Sequence, residues 1–142
     1  MLQKLKKRLK NHKGFTLIEL LAVIVILGII AAIAIPAIGN IIDKSRNDAV
    51  KSSAIQAIDA GRLFIASEGI PTDKTITAEE LKTYLDNKNS NITITELYVD
   101  TTATGGTEIS IKATGGDLTF DYATVADINS ASKTETTIGN GQ

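Results

Sequence analysis

The stretch LLAVIVILGIIAAIAIPAIG, residues Leu20–Gly39, decides the architecture of this chain because its twenty residues include no charged or strongly polar side chain. A helix of about twenty apolar residues is long enough to cross the roughly 30 Å of hydrocarbon in a bilayer. In lipid, a single segment of this kind satisfies its backbone polar groups only as an α-helix. The sequence therefore predicts a membrane-compatible helix at this position.

The charge before this run differs from the charge after it. Residues 1–13 carry six basic side chains and no acid, whereas the other 129 residues hold 9 basic and 16 acidic side chains, a balance of −7. By the positive-inside rule, the basic flank stays in the cytoplasm and the remainder lies outside. The acidic body also disfavours general nucleic-acid binding, because phosphate contacts need a basic surface.

An ordinary secretory signal peptide is the main alternative for the apolar segment. Ala32-Ile33-Ala34 has the small-x-small spacing of a cleavage site for such a peptide. The length of the run argues against it, since the apolar core of a signal peptide typically has about 7–15 residues.

The composition argues against catalytic and metal chemistry. The chain has no cysteine, and His12, its only histidine, lies among lysines. Disulfides, thiol catalysis and Cys-type metal sites are therefore excluded, and a histidine-based site is disfavoured. No nucleophile–base pair is recognisable either, so we expect no enzyme, no cofactor and no metal.

Beyond Pro36 the pattern becomes that of an amphipathic helix. Apolar residues recur at a spacing compatible with one helical face, namely Ile38, Ile41, Ile42, Ala49, Ile55, Ile58 and Ile65. No strong break occurs before Gly69-Ile70-Pro71, so Phe15 to about Ser67 reads as one helix of roughly 53 residues, or about 80 Å. Pro36 has no N–H for the carbonyl of Ala32, which predicts a kink or local loosening there.

The remaining residues predict a small head. Thr77 and Glu80 have the spacing of a capping box and begin a short helix over 78–86. Alternating apolar residues separated by glycine-rich turns predict strands over about 91–99, 108–113 and 118–123. The fold class is therefore α+β, with a long N-terminal helix packed on a small three-stranded antiparallel sheet. The predicted divisions are a basic leader over 1–14, a transmembrane or filament-core half-helix over 15–39, an amphipathic half-helix over 40–68, a globular head over 69–125 and a polar, flexible tail over 126–142.

The segment KGFTLIELL, residues Lys13–Leu21, directly precedes and enters the apolar run. It resembles the class III signal of the type IV pilin superfamily, in which a basic leader ends in glycine and is followed by Phe-Thr-Leu-x-Glu and an apolar helix. The resemblance is close over residues 8–40 and includes Pro36 at the usual distance from the glycine. Beyond residue 40 it concerns the architecture alone.

This resemblance implies a specific role for several residues. Prepilin peptidase is expected to cut after Gly14 and to methylate the new N-terminus at Phe15. Glu19 then becomes the fifth residue of the mature chain and is expected to meet the N-terminal amine of a neighbouring subunit, which sets the axial register during assembly. Gly28 and Pro36 are expected to give the helix flexibility.

The resemblance also implies the partners and the destination of the chain. The partners are further copies of itself in a helical homopolymer, prepilin peptidase, the pilus assembly platform with minor pilins, and the cytoplasmic membrane. The precursor is expected to span that membrane once with its N-terminus inside, before it enters an extracellular surface pilus.

Several interpretations remain open from the sequence. The leading one is a major pilin, and the alternatives are a pseudopilin of a type II secretion system, a competence pilin for DNA uptake, or a membrane-anchored binding module that does not polymerise. The absence of cysteine favours a Gram-positive source. Four aromatic residues are expected to serve in packing rather than as a stacking platform: Tyr84, Tyr98, Phe120 and Tyr122.

Overall fold

The computed structural model describes residues 2–85, 91–132 and 134–141, with side chains from residue 16 onward. The chain divides into two compact units, residues 1–42 and residues 43–142. The first unit is helical throughout its described length, and the second combines the end of that helix with a sheet.

Helix α1 runs from Leu2 to Glu68 and continues through Pro36. It ends where the sequence predicts, because Gly69 adopts a φ of +90° and its N–H donates to the carbonyl of Ile65 at 2.9 Å. A positive φ of this kind is readily available to glycine and stops the helix. The predicted start at Phe15 differs from the structure, in which the helix already includes the basic residues before it.

The second unit contains a five-stranded sheet whose strands lie in chain order. The strands are β1 (Thr75–Thr77), β2 (Thr93–Asp100), β3 (Glu108–Gly115), β4 (Leu118–Ala123) and β5 (Thr137–Ile138). The first three pairings are antiparallel, and β5 lies parallel to β4. Two short helices complete the unit, α2 (Ala78–Leu81) and α3 (Val125–Ser130).

One face of the sheet forms the core with the last third of α1. Val50, Ala54, Ala57 and Ile58 of α1 are buried, and so are the inward residues of the strands. The strands supply Ile76, Ile94, Leu97, Val99, Ile109, Ile111, Ala113, Leu118 and Phe120 to this core. The alternation of apolar and polar residues in each strand therefore places the apolar set against the helix.

The α+β class is confirmed, but the prediction of three strands is wrong. The two further strands lie at the edges of the sheet, and each is very short. Each holds one buried isoleucine, Ile76 in β1 and Ile138 in β5. An isolated isoleucine among polar residues gives no alternation, so the pattern that predicts β2, β3 and β4 is absent from these two strands.

The final segment also differs from the predicted flexible tail. Residues 125–130 form α3, which begins with a capping box made by Thr124 and Asp127. Ile128 and Ile138 are each only 2% exposed. The Nζ of Lys51 in α1 donates to the carbonyl of Ala131 at 3.1 Å, at the C-terminal end of α3. Two apolar anchors and these polar contacts hold a segment whose composition alone is typical of a loop.

The predicted helix over 78–86 is shorter in the structure. Its capping box is present, since the Thr77 side chain accepts from the Glu80 N–H and the Glu80 side chain accepts from the Thr77 N–H. The α-helix ends at Leu81, and turns continue to residue 84. Residue 86 of the predicted helix lies outside the described residues.

Candidate processing and assembly site

The sequence-predicted cleavage site lies within α1. Gly14 and Phe15 have helical backbone there, and the Phe15 side chain lies outside the described part of the chain. Residues 2–13 precede this site in the same helix.

Glu19 is the only charged residue between Thr16 and Ile42. It is exposed, and the large apolar residues from Leu17 to Ile42 are 51–70% exposed as well. Among the side chains that the structure describes, none forms an ion pair with Glu19. A carboxylate surrounded by apolar side chains needs a cationic partner once water is removed, because its burial alone costs about 2.5–3.5 kcal/mol at the bilayer centre on insertion scales.

The apolar surface around Glu19 is far larger than a soluble protein leaves in water. Transfer of one such Ile, Leu or Val side chain out of water contributes about 1.5–3 kcal/mol. Exposed apolar areas of this extent mark a membrane or a protein interface. Among the described helices, α1 is the one that is long and apolar enough to cross a membrane by length and composition, and none of its most apolar window is buried.

The two residues proposed to give flexibility lie in the same apolar part of α1. A methyl group built on Gly28 meets nothing within 4 Å, so close packing inside this chain does not explain the glycine. Pro36 lies inside the helix and leaves the carbonyl four residues earlier without its usual donor.

The sheet carries a polar cluster that sequence reasoning missed. On the face away from α1, the Tyr122 hydroxyl donates to Oε1 of Glu96 at 2.7 Å, and the Nζ of Lys112 lies 4.9 Å from the centre of the Tyr122 ring. Tyr98 packs edge-to-face on Tyr122 with ring centres 6.2 Å apart. The hydrogen bond to Glu96 raises the pKa of Tyr122, and partial burial and the Glu96 charge act in the same direction.

A bulge positions this cluster. The pairing of β3 with β4 shifts between Ile111 and Ala113, and Tyr122 adopts a φ of +51° there. A non-glycine residue in this region is uncommon, and bulges redirect side chains locally. Alternation alone would place Glu96 on the face of the buried Ile94, and a second bulge, between Ile94 and Glu96 in the β2–β3 pairing, brings Glu96 to the face of Lys112. No signal in the sequence indicates either bulge.

Two aspartates are held by turns at the sheet edge nearest the end of α1. The backbone N–H of Thr75 donates to Asp73, and this bond lowers the pKa of the Asp73 carboxyl. The hydroxyl and the N–H of Thr102 both donate to Asp100, which lowers the pKa of Asp100 as well. The described residues contain no group of three or more His, Cys, Asp or Glu side chains arranged to hold a metal ion.

Comparison with known proteins bears directly on the α1 segment. Residues 9–35 match the prokaryotic N-terminal methylation motif. The chain is 36% identical over 117 residues to the type IV major fimbrial protein FimA of Dichelobacter nodosus, an alignment that covers 82% of this chain and 65% of that protein. It is 35% identical over 107 residues to the type IV major alpha-pilin of Moraxella bovis, covering 73% of this chain and 60% of that protein.

A third relative matches over a shorter length. The type IV narrow pilus major component PilA5 of Thermus thermophilus is 43% identical over 61 residues, which cover 42% of this chain and 53% of that protein. The chain thus spans less than two thirds of the length of each of these curated relatives. No significant match to a solved structure was found. None of these relatives supports the Gram-positive source that the missing cysteines favoured.

The fold and the motif together define the class. A long N-terminal helix with an exposed apolar half, followed by an antiparallel-rich sheet, carries a prokaryotic methylation motif at the start of the apolar half. The chain belongs to the type IV pilin superfamily.

Proposed function

We propose that this chain is the major structural subunit of a type IV pilus. The observation that carries the proposal is that the Gly14-Phe15 motif directly precedes, in the sequence, an exposed apolar helix with a single carboxylate, Glu19. Apolar side chains on all sides of α1 can leave lipid only by packing against other copies. The names of the relatives, which are those of major pilins and fimbrial proteins, support a pilus over a secretion or DNA-uptake filament.

Processing is the first step of the proposed mechanism. Prepilin peptidase cuts after Gly14, where the lack of a side chain gives a protease close access to the backbone. The same enzyme methylates the amine of Phe15. Because the cut precedes Leu20–Gly39, the membrane anchor stays in the mature chain. A conventional signal peptidase would instead remove the apolar segment.

Membrane residence is the second step. The six basic residues before Gly14 hold the N-terminus in the cytoplasm, and residues 15–39 cross the bilayer. Residues 40–68 continue the helix into the extracytoplasmic head. The divisions after residues 14, 39 and 68 thus separate the leader, the membrane-spanning segment, the amphipathic half-helix and the head. The head, predicted over residues 69–125, also includes α3 and β5.

Assembly is the third step. As a subunit moves from lipid into the filament core, Glu19 pairs with the positive amine of Phe15 on a neighbouring copy. The attraction between opposite charges is strong in a water-poor core, and a shifted register leaves each charge without a partner.

Gly28 and Pro36 loosen the core helix and allow the filament to extend. Pro36→Ala should therefore stiffen the filament when single filaments are pulled. Unchanged extension would count against this role.

Replacement of Gly14 tests the processing step in a host that assembles the filament. Gly14→Val should block cleavage, because the added branched side chain restricts the backbone that the peptidase must reach. We expect full-length protein to accumulate in the membrane and surface filaments to disappear from sheared fractions. Gly105→Val, in an open loop position with nothing within 4 Å of an added methyl group, is the matched control. Normal filaments from the Gly14→Val variant would contradict the proposal.

A further inference from the structure

The two ends of the second unit carry different charges. A methyl group on Gly61 of α1 would lie 2.6 Å from Leu97, and one on Gly115 would lie 3.0 Å from Val50. The hairpin between β2 and β3 therefore lies beside the end of α1 at Glu68, which we call the distal end. The start of this unit at Asp43 is the proximal end.

The distal end collects acidic side chains that oppose one another. Asp100 and Glu108 lie directly across from each other in the β2–β3 pairing, and like charges in this position destabilise a sheet. Asp73 is at the same end, since the carbonyl of the next residue, Lys74, accepts from the N–H of Val99 at 2.8 Å. Of these four residues, only Lys74 brings a positive charge.

The C-terminus of α1 adds to this negative end. Glu68 is the last residue of the helix, and no basic side chain lies in its last turn. The carbonyl end of a helix carries a partial negative charge, which favours cations and disfavours a carboxylate. An isolated subunit thus keeps an excess of negative charge at this end, even though Thr102 and Lys74 stabilise the Asp100 carboxylate.

The proximal end offers such cations. Lys44 and Arg46 lie in the first turns of α1 within this unit, and both are exposed. Asp43 and Asp48 are neighbours in sequence, but neither is paired with them, since the ion pairs among the described side chains join Asp59 to Arg62 and Glu79 to Lys82. Both cations are therefore available to a neighbouring molecule.

Exposed apolar side chains in this unit also lie toward the distal end. Beyond Ile42, the described residues include two large apolar side chains that remain exposed, Leu63 at 58% and Ile70 at 45%. Leu63 is in the last two turns of α1, and Ile70 follows its end. A neighbour seated at the distal end would remove both from water.

We propose that the distal end, comprising Leu63, Glu68, Ile70, Asp100 and Glu108, receives the proximal Lys44 and Arg46 of a second copy of this chain. The inference rests on the proposed function, since it names a contact between heads within the filament. The two surfaces differ, so the contact is head-to-tail, and such a contact builds a filament when its rotation does not close a ring. About 36 Å of helix separates Lys44 from Glu68 at 1.5 Å per residue, so the contacting copies are offset by roughly one head along the axis.

Charge exchange tests this contact in the full chain, in a host that assembles the wild-type filament. A single exposed ion pair contributes about 0–1 kcal/mol, so two charges are reversed together. Lys44→Glu with Arg46→Glu should lose most sheared filament, and Asp100→Lys with Glu108→Lys should do the same. Combining all four substitutions should restore the yield. Wild-type yield from both double variants would overturn the proposal.

Cross-linking tests the contact without relying on altered charges. The chain has no cysteine, so Arg46→Cys with Glu108→Cys introduces the only thiols. Mild oxidation of assembled filaments should give a ladder of covalent multimers. The control pairs Arg46→Cys with Thr114→Cys, an exposed residue near the other end of β3, and should give no ladder. Filaments that form from the first pair without a ladder would overturn the proposal.

Two measurements separate this inference from the proposed function. Leader cleavage and Phe15 methylation are followed in the membranes of every variant and should be unchanged. If no host that cleaves and methylates the wild-type chain assembles filaments from it, the proposed function is rejected. Wild-type filaments that lose integrity in a chelator, but ignore both double reversals, would place a divalent cation at the distal end and reject only the head-to-tail contact.

Discussion

At the scale of single residues, the chain contrasts one carboxylate in apolar surroundings with others held by turns and strands. Glu19 has apolar residues directly before and after it in sequence, Ile18 and Leu20, whereas Glu96, Asp73 and Asp100 each accept a defined hydrogen bond. The three acceptors are satisfied inside the subunit. In the proposed function, Glu19 takes its partner from a neighbouring copy of the chain.

Glu19→Gln tests that pairing. Glutamine keeps the size and hydrogen-bonding capacity of the side chain but has no charge to attract the amine of Phe15. We expect normal cleavage and membrane insertion, but a large fall in sheared filament, measured by quantitative immunoblot of cell and sheared fractions. Glu135→Gln, at an exposed position near the C-terminus, is the control. Equal yields from the two variants would argue against a role for the Glu19 charge.

Tyr122→Phe tests the polar cluster of the sheet. The variant loses one hydrogen bond to a carboxylate, so the free energy of unfolding should fall by about 1.5–3 kcal/mol. Denaturant unfolding of the full chain in detergent gives this value. Tyr84→Phe is the control, because its hydroxyl lies 3.4 Å from Glu68 at an exposed site and should contribute little.

The pH dependence of this cluster has a definite sign. The folded pKa of Tyr122 lies above the ordinary value of 10.0, so the neutral phenol is favoured by folding. The stability that it contributes is complete below pH 10 and is lost as the pH rises through the folded pKa. Tyr122→Phe should flatten this alkaline loss. Asp73 and Asp100 act oppositely: their lowered pKa values give stability above the ordinary value of 3.8 that is lost in acid.

At the scale of elements, β5 is the shortest strand, and the glycine that follows it is closely packed. Gly139 follows β5 with a φ of +99°, and a methyl group there would lie 2.3 Å from the Asp121 carbonyl oxygen. Gly139→Ala should therefore detach β5 from β4 and destabilise the head by about 1–3 kcal/mol. Amide hydrogen exchange at Thr119 should speed up, because its N–H donates to the Thr136 carbonyl.

Gly105→Ala is the matched control for that experiment. Its added methyl group would meet nothing within 4 Å, and its φ is not in the positive range. We expect stability and exchange to stay near the wild-type values. If Gly139→Ala exchanged as slowly as this control, the docking of β5 would not depend on the close approach at Gly139.

The elements that the sequence predicts are those with long, regular signals. Twenty uncharged residues and an uninterrupted helical period indicate α1, and alternation between glycine-rich turns indicates β2, β3 and β4. The sequence does not predict β1 and β5, because each holds a single isoleucine, Ile76 or Ile138, and one apolar residue forms no alternating pattern. Their strand state comes from pairing with a sheet that already exists, which is a tertiary effect.

The functional residues likewise include some that the sequence predicts and others that only the fold brings together. Gly14, Phe15 and Glu19 are readable because the motif is local and continuous in sequence. The Tyr122 cluster and the distal end are assembled from separate strands, and their geometry depends on a bulge and on a cross-strand register. Only the fold brings Asp100 opposite Glu108.

At the scale of the whole molecule, the chain combines a helix whose apolar side chains are exposed with a head that has its own buried core. The head buries its core in the second unit, and the described side chains contain no buried polar atom without a hydrogen bond. The apolar helix has no such completion within one chain. This contrast supports the proposed role as a filament subunit.

The most direct test of the proposed function is mass spectrometry of the N-terminal peptide from filaments sheared off the surface of native cells. We expect a peptide that begins at methylated Phe15, with residues 1–14 absent. An intact leader, or a chain that starts near Ile35 after cleavage behind Ala34, would contradict the proposed function, because the apolar segment would then be an ordinary anchor or a secretory signal.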